Sequence, residues 1–202
     1  MIDHLDVAAG ILCDAKGRIL IAERLGDGPF RGLWEFPGGK LEQNETREQG
    51  LARELEEELG ITVEHCNPLI RFQYDYPEKS VHLAVWRVDA FAGEAHGREG
   101  QTTSWVCVAE LDDYNFPVAN KPIITAAGLP DRYMVTPEPD PEKLDDYLLK
   151  LEQALISGIR LVQYRAKKLN EAQWQSHAAD VIKLCEKYAA KCVVNTEIEL
   201  AL

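Results

Sequence analysis

The segment from residue 46 to residue 60 constrains the fold more than any other part of the sequence, because it carries signals for both ends of one short helix. Thr46 and Gln49 have the spacing of a capping box, which predicts that a helix begins directly after Thr46. Gly60 is a typical helix stop, because glycine readily adopts the left-handed conformation found there. The apolar residues of this helix that can enter a core are Leu51, Leu55 and Leu59.

Three glutamates of the same helix, Glu54, Glu57 and Glu58, fall at positions i, i+3 and i+4 and therefore share one face. Their carboxylates repel one another, and a divalent cation would remove that repulsion. A set of oxygen ligands suits Mg²⁺ or Mn²⁺. The alternative is a solvated acidic face, which is common. Arg53 inside the acidic run, and the glycines at both ends of the segment, favour the metal site.

Nine fixed positions between residues 39 and 61 resemble the Nudix box, the signature of hydrolases that cleave nucleoside diphosphates linked to another group. The matching residues are Gly39, Glu45, Arg53, Glu54, Leu55, Glu57, Glu58, Gly60 and Ile61. With average residue usage, such a pattern arises by chance on the order of 10⁻⁹ per starting position. The resemblance implies an α/β fold, the Nudix α/β/α sandwich with a mixed sheet.

Hydrolysis of a phosphoanhydride needs an activated water and neutralisation of the phosphate charge, and divalent metals can supply both. We assign Glu54, Glu57 and Glu58 to the metal, with the carbonyl of Gly38 as a further ligand. Arg53 is expected to pair with Glu45 or Glu57 and to fix the helix against the glycine loop. Glu54 is one candidate for the water-orienting base. Glu99 is the other, although from the residues alone a solvated loop glutamate is the simpler interpretation.

Across residues 7–124 the chain also resembles the MutT (8-oxo-dGTP diphosphatase) type of Nudix hydrolase. Two matching pieces, GREGQ at 97–101 and FPVANKPII at 116–124, lie outside the Nudix box. The resemblance implies that Glu99 reaches the metal and that Arg24 and Asn120 read the nucleotide. It further implies a pocket lined by Glu35, Phe36, Pro37 and Gly38. The loop 25–32 departs from that family, which leaves pocket closure and substrate stringency open.

The side chain of Asn120 suits base recognition, because an amide offers one donor and one acceptor to a purine edge. Oxidation turns N7 of guanine into a donor, so an acceptor facing that atom would discriminate 8-oxoguanine from guanine. The alternative role for Asn120 is to cap the short helix predicted over 121–127.

The elements predicted for a first domain, residues 1–130, form a mixed sheet with helices on its faces. Residues 7–13 and 18–24 are predicted to pair as a hairpin around a turn at 14–17. The other predicted strands are 33–36, 70–76, 81–91 and 105–108. A linker at 128–131 follows, and residues 131–202 read as β-α-β-α-β. That order is the beginning of a parallel sheet or of a TIM-barrel-like fold.

The second segment resembles an N-terminal fragment of thiamine-phosphate synthase, a (β/α)8 barrel. The resemblance assigns Gln163, Arg165, Lys167 and Asn195 to a diphosphate site, vestigial here. Alternate residues of a strand share one face, so the first three could converge on one anion; without the resemblance, a solvated basic edge is the interpretation. Thr196 stands where that family has a metal-binding aspartate. Because a closed barrel needs roughly 200 residues, we expect a truncated piece without transferase activity.

The net charge of −12 argues against binding to polymeric DNA or RNA, which needs a basic surface. It is compatible with one nucleotide bound together with a metal. The five cysteines are scattered, as expected for free thiols in a reducing compartment. The N-terminus has no basic region and no long apolar run, so we expect no signal peptide, no membrane span and a cytoplasmic protein. The sequence leaves the oligomeric state open.

Three functions follow from these observations. The first is Mg²⁺-dependent hydrolysis of 8-oxo-dGTP to 8-oxo-dGMP and pyrophosphate, which cleans the nucleotide pool and limits mutation during DNA replication. The second is Nudix hydrolysis of another diphosphate, such as a thiamine-related compound. The third is a thiamine-pathway transferase or phosphate-binding module with a vestigial Nudix part, against which the intact Nudix box argues.

Overall fold

The computed structural model describes residues 3–195, and the chain divides into two compact units, Met1–Gly128 and Leu129–Leu202. The functional domains expected at 1–130 and 131–202 stay a prediction. None of the helices among residues 3–195 combines the length and apolar character needed to cross a bilayer.

The first unit contains two sheets with helices packed on them. Its strands are β1 (Asp3–Leu12), β2 (Ile19–Glu23), β3 (Trp34–Glu35), β4 (Gly38–Lys40), β5 (Thr62–Asp75), β6 (Lys79–Ala92) and β7 (Thr103–Val106). Its helices are α1 (Arg47–Leu59) and α2 (Lys121–Ala127), with 3₁₀ turns at Val108–Asp113 and Val118–Asn120. One sheet has the order β4-β1-β6-β5, in which only β1 and β6 are parallel; the other is antiparallel, β3-β2-β7. The mixed α/β organisation expected from the sequence is confirmed.

The predicted hairpin of the first two strands is confirmed only at its turn. Cys13 and Ile19 form an antiparallel bridge, and the N–H of Asp14 donates to the carbonyl of Arg18 at 3.0 Å. The predicted pairing beyond this turn is wrong, because β2 belongs to the second sheet. Residues 8–12 of β1 are all buried, so both faces of this strand are covered by other parts of the unit. At its edges β1 pairs with β4 over residues 7–9 and with β6 over residues 3–12, while β2 pairs with β3 and β7.

Helix α1 has the limits that the sequence predicted. Thr46 and Gln49 form the complete capping box, and Gly60 ends the helix in the left-handed conformation at φ 71°. Leu51, Leu55 and Leu59 are fully buried against the four-stranded sheet. Because the leucines fix the rotation of the helix, the glutamates between them are directed away from this core.

The second unit is a three-stranded parallel sheet with two helices. Its elements are β8 (Tyr133–Val135), α3 (Leu144–Ile156), β9 (Leu161–Tyr164), α4 (Glu171–Lys187) and β10 (Lys191–Val194). The strand order is β10-β9-β8, and Asn170 caps α4 with a full capping box. The β-α-β-α-β order is confirmed, whereas a barrel stays a prediction. Thr196 lies outside the described residues.

A histidine is buried in the core of this second unit. His177 is 2% exposed, and its Nδ1 lies 2.8 Å from the hydroxyl of the fully buried Tyr164. Burial lowers the pKa of His177, and the Asp180 carboxylate and the Leu144 backbone oppose that shift only in part. The ring is therefore neutral in the folded unit at neutral pH.

We predict that the second unit loses stability as pH falls from 7 to 5. The unfolded ring takes up a proton below about pH 6.5, while the folded ring, whose pKa is lowered, does not, so acid favours the unfolded state. The urea concentration that unfolds half of the second unit can be measured at both pH values from amide exchange in the peptides that cover α4. His177→Phe is the control and should remove most of the difference; an equal pH dependence in that variant would contradict the assignment.

Candidate active site

A cavity of about 530 Å³ opens in the first unit and contains most of the site residues expected from the sequence. The expected residues that line it are Arg24, Glu35, Phe36, Gly38, Glu54, Glu58, Glu99 and Asn120. Three others are not part of its wall: Arg53, Glu57 and the buried Pro37. The lining therefore combines four carboxylates with a cation, an amide and apolar side chains.

Two glycines let β4 approach both β1 and helix α1. Gly38 has φ 140°, and a side chain there would collide with the backbone of Ala8. Its N–H donates to Oε2 of Glu58 at 3.0 Å. A side chain on Gly39 would collide with the carboxylate of Glu54. The glycines therefore allow the two carboxylates to lie directly on the β4 backbone.

Arg53 holds α1 to the segment that precedes it. Its guanidinium forms a two-bond pair with Glu45, at 2.9 and 3.0 Å, and donates to the carbonyl of Lys40 at 3.0 Å. It also donates to Glu54 at 3.0 Å and to Glu57 at 3.1 Å. The expected pairing with Glu45 and Glu57 is confirmed. Since two carboxylates of the predicted metal face share this cation, Arg53 orients both of them.

The carboxyl group of Glu58 is the most perturbed of the acidic groups in the cavity. Its pKa is raised to about 7, first because burial disfavours the charged form. The Gly38 N–H opposes this shift, and the carboxylates of Glu35, Glu54 and Glu99 increase it. Glu54 also has a raised pKa, again chiefly through burial. Negative charge is thus concentrated where little solvent screens it.

The donor chemistry of these carboxylates fits a hard divalent cation. All donors are oxygens, and a cation would relieve the mutual repulsion around Glu58. Among residues 3–195, however, no three acidic, histidine or cysteine side chains are already grouped as a metal site. Arg53 draws Glu54 and Glu57, while the Gly38 N–H holds Glu58. The ligand set Gly38, Glu54, Glu57, Glu58 and Glu99 stays a prediction.

The cavity is also lined by Arg24, Glu35 and Asn120. Arg24 and Glu35 form an ion pair at 2.6 Å, while burial raises the pKa of Glu35 in spite of that cation. Asn120 precedes α2, but its side chain makes no capping hydrogen bond. The capping role considered for Asn120 is therefore wrong, because its own backbone is already helical, at φ −82° and ψ −13°. Its amide lines the cavity instead.

A family model described as a NUDIX domain matches residues 8–126. The chain belongs to the NUDIX hydrolase family. It is 39% identical over 120 residues to the 8-oxo-dGTP diphosphatase of Escherichia coli (strain K12), covering 59% of this chain and 93% of that relative. It is 35% identical over 122 residues to the CTP pyrophosphohydrolase of the same strain, covering 60% of this chain and 90% of that relative.

The likeness to Nudix structures extends over the same part of the chain. A solved structure from a study of MutT from Aliivibrio salmonicida and Vibrio cholerae aligns with a TM-score of 0.56 at 40% identity. The alignment covers 62% of this chain and 97% of that structure. The Nudix fold of the first unit is thus supported by both sequence and structure.

Phe30, Tyr76 and Lys79 are among the residues of the Nudix cavity that were not predicted from the sequence. Phe30 and Tyr76 form an aromatic pair with ring centroids 5.7 Å apart. Arg24 lies over the Phe30 ring at 5.8 Å, and Lys79 lies over the Tyr76 ring at 5.6 Å. All four line the cavity. The available signal was an aromatic residue in each of two loops, but only the fold shows that the two loops meet.

A second family model, described as thiamine monophosphate synthase, matches residues 132–202. The synthase-like segment is therefore the C-terminal part of this chain. The expectation of an N-terminal fragment is wrong as a description of its position here. The model supports the expected fusion of a Nudix domain to a synthase-like segment.

Two of the four residues expected for the vestigial diphosphate site, Arg165 and Lys167, lie outside the predicted strand. Strand β9 ends at Tyr164, so Arg165 and Lys167 lie in the loop beyond it. The backbone N–H of Arg165 donates to the side chain of Thr136, and the backbone N–H of Lys167 donates to the side chain of Glu138. These side-chain acceptors replace the backbone pairing between β8 and β9 beyond the end of the strands. Gln163 accepts a hydrogen bond from the hydroxyl of Tyr133 at 2.7 Å, and Asn195 follows β10. The premise that Gln163, Arg165 and Lys167 alternate along one strand is therefore wrong, whereas a shared diphosphate site stays a prediction.

We predict that Glu58→Gln abolishes metal-dependent hydrolysis while the first unit stays folded. The amide keeps the acceptor for the Gly38 N–H but is a poor ligand for a hard cation. Hydrolysis at saturating Mg²⁺ and thermal unfolding should be measured together. Glu56→Gln is the matched control, because Glu56 lies on the same helix with an exposed side chain outside the cavity. Wild-type turnover in Glu58→Gln would exclude Glu58 as a ligand.

Proposed function

We propose that this protein hydrolyses 8-oxo-dGTP to 8-oxo-dGMP and pyrophosphate with Mg²⁺ or Mn²⁺. The observation that carries the proposal is the composition of one cavity, which joins a carboxylate wall to a base-reading end. Its volume of about 530 Å³ lies within the range of small-molecule sites. The 8-oxo-dGTP diphosphatase relatives support the choice of substrate.

The two ends of the cavity have separate roles. Glu54, Glu58 and Glu99 face the phosphates, where a bound divalent metal neutralises phosphate charge and lowers the pKa of water. Arg24 and Asn120 face the nucleotide. The amide of Asn120 offers one acceptor and one donor to the oxidised purine edge, which carries a proton at N7. Plain guanine would leave that acceptor unpaired, which is the basis for discrimination.

Glu54 is the stronger candidate for the water-orienting base. Burial raises its pKa toward the range useful for proton transfer near neutral pH. Arg53 holds one of its oxygens at 3.0 Å, which fixes the orientation of the carboxylate. Glu99 is exposed on its loop and has no comparable support on its side chain. We therefore assign Arg53 to positioning Glu54, and Glu99 to the metal.

Two alternatives have their own support. The CTP pyrophosphohydrolase relative favours a pyrimidine nucleotide, and the synthase-like segment favours a thiamine-related diphosphate. The deciding experiment compares kcat/KM for 8-oxo-dGTP, dGTP, CTP, ADP-ribose and thiamine diphosphate under the same Mg²⁺ concentration. A preference for any compound over 8-oxo-dGTP would reject the proposed substrate. Complementation of a bacterial strain that lacks its own 8-oxo-dGTP diphosphatase would test the role in limiting mutation.

We predict that Asn120→Ala lowers kcat/KM for 8-oxo-dGTP much more than for dGTP. A lost bidentate base contact is worth about 1–3 kcal/mol of discrimination, roughly 5- to 150-fold. Val118→Ala is the control, since Val118 is 69% exposed two residues away and does not line the cavity. Equal losses on both substrates would show that Asn120 does not read the base.

We also predict that residues 1–130 alone retain hydrolase activity. Every residue assigned to metal, water or nucleotide belongs to the unit Met1–Gly128. Residues 132–202 alone should associate or unfold, because Tyr133, Val135 and Val193 are each about half exposed on the strands of this unit. Kinetics of the short protein, and amide exchange of both parts, test these expectations. A large loss of activity in residues 1–130 would contradict the domain assignment.

A further inference from the structure

The loop that carries Glu99 is bound to the last turn of α1. The C-terminal turn of any helix leaves carbonyl groups without partners inside the helix. Here the N–H groups of His96 and Arg98 donate to the carbonyls of Leu59 and Glu58, at 3.2 and 2.9 Å. The Arg98 guanidinium donates to the carbonyl of Glu56 at 3.0 Å. The loop thus supplies the hydrogen bonds that the helix end lacks.

Gln101 adds a contact of another kind, because its side chain joins two residues of the cavity. Its Nε2 donates to the carbonyl of Glu58 at 3.0 Å, and its Oε1 accepts the N–H of Glu99 at 2.9 Å. Only this orientation of the amide satisfies both partners, since one is a carbonyl and the other an N–H. No shorter side chain could bridge them.

The backbone on both sides of Gln101 fixes the position of its amide. Strand β7 begins two residues later and pairs with β2. The backbone N–H of Glu23 donates to the carbonyl of Thr102 at 2.8 Å. On the other side, a side chain at Gly97 would collide with the carbonyl of Gln101, so the loop closes tightly. The amide is therefore held by a strand, whereas Glu99 itself is exposed.

We propose that Gln101 is a positioning residue that sets the distance between the carboxylates of Glu58 and Glu99. The inference rests on the proposed function, which assigns both groups to the divalent cation. Glu58 is fixed by its helix and by the Gly38 N–H. Glu99 has no such packing, and the amide of Gln101 anchors its backbone to the helix residue that supplies the other ligand. Partners of metal ligands typically contribute 10- to 100-fold to metal affinity or activity.

The test uses Mn²⁺ binding to the full chain, followed by electron paramagnetic resonance. Gln101→Met should weaken Mn²⁺ binding about 10- to 100-fold. If Gln101 acts through Glu99, the double variant Gln101→Met/Glu99→Gln should bind no more weakly than Glu99→Gln alone. Additive losses, or unchanged binding in Glu99→Gln, would overturn the proposal. Gln101→Asn keeps the amide but cannot span both partners, so wild-type affinity in that variant would also overturn it.

Arg98→Met is the matched control, because it removes one side-chain bond from the same loop to the same helix end without touching Glu99. Thermal unfolding should respond similarly in Arg98→Met and Gln101→Met, whereas Mn²⁺ affinity should fall only in the second. An equal loss of affinity in both would mean general anchoring of the loop and would reject the proposal. The readout contains no nucleotide, so an error in the proposed substrate leaves this test intact.

Discussion

The site depends on the guanidinium of Arg53, which bonds three carboxylates and one carbonyl at once. Strong pairing with Glu45 raises the pKa of Arg53 further above its already high value, so the cation is permanent. A lysine could not reproduce the two-bond contact with Glu45. These bonds tie α1 to the β4 backbone and, together with the buried leucines of the helix, fix the position of its glutamates.

The site must also keep the negative charge of its carboxylates in a half-buried position. Glu58 is stabilised by one N–H and is opposed by three neighbouring carboxylates. Arg53 compensates on the outer side of the cluster, but it does not hydrogen-bond Glu58. The protein thereby retains, next to the cavity, a charge imbalance that a phosphate-bound cation can neutralise.

Local signals allowed accurate prediction where all the determinants lie within one turn of the chain. The start of α1 followed from the capping box at Thr46, whose partner is three residues away, and its end followed from Gly60. The predicted pairing of the first two strands failed because the choice of strand partner is a non-local property: β1 pairs with β6, which lies far along the chain. Phe30 and Tyr76 were missed for the same reason, since their contact joins distant loops. The positioning role proposed for Gln101 could not be predicted from the sequence, because its side chain bonds backbone atoms of Glu58 and Glu99.

The parallel pairing of β1 with β6 also bears on how the first unit folds. Asp3 lies opposite Lys79 and Leu12 opposite Val88, whereas β5 and β6 form a long antiparallel pair joined by a short turn. Closing the shorter loop costs less chain entropy, so we expect the β5–β6 ribbon to form first and β1 to dock on it later. The glycines of β4 can pair only after β1 is in place. On a ribosome, the cavity would therefore be assembled only after most of the first unit had emerged. By that stage the emerged chain would be long enough to cover its own hydrophobic core.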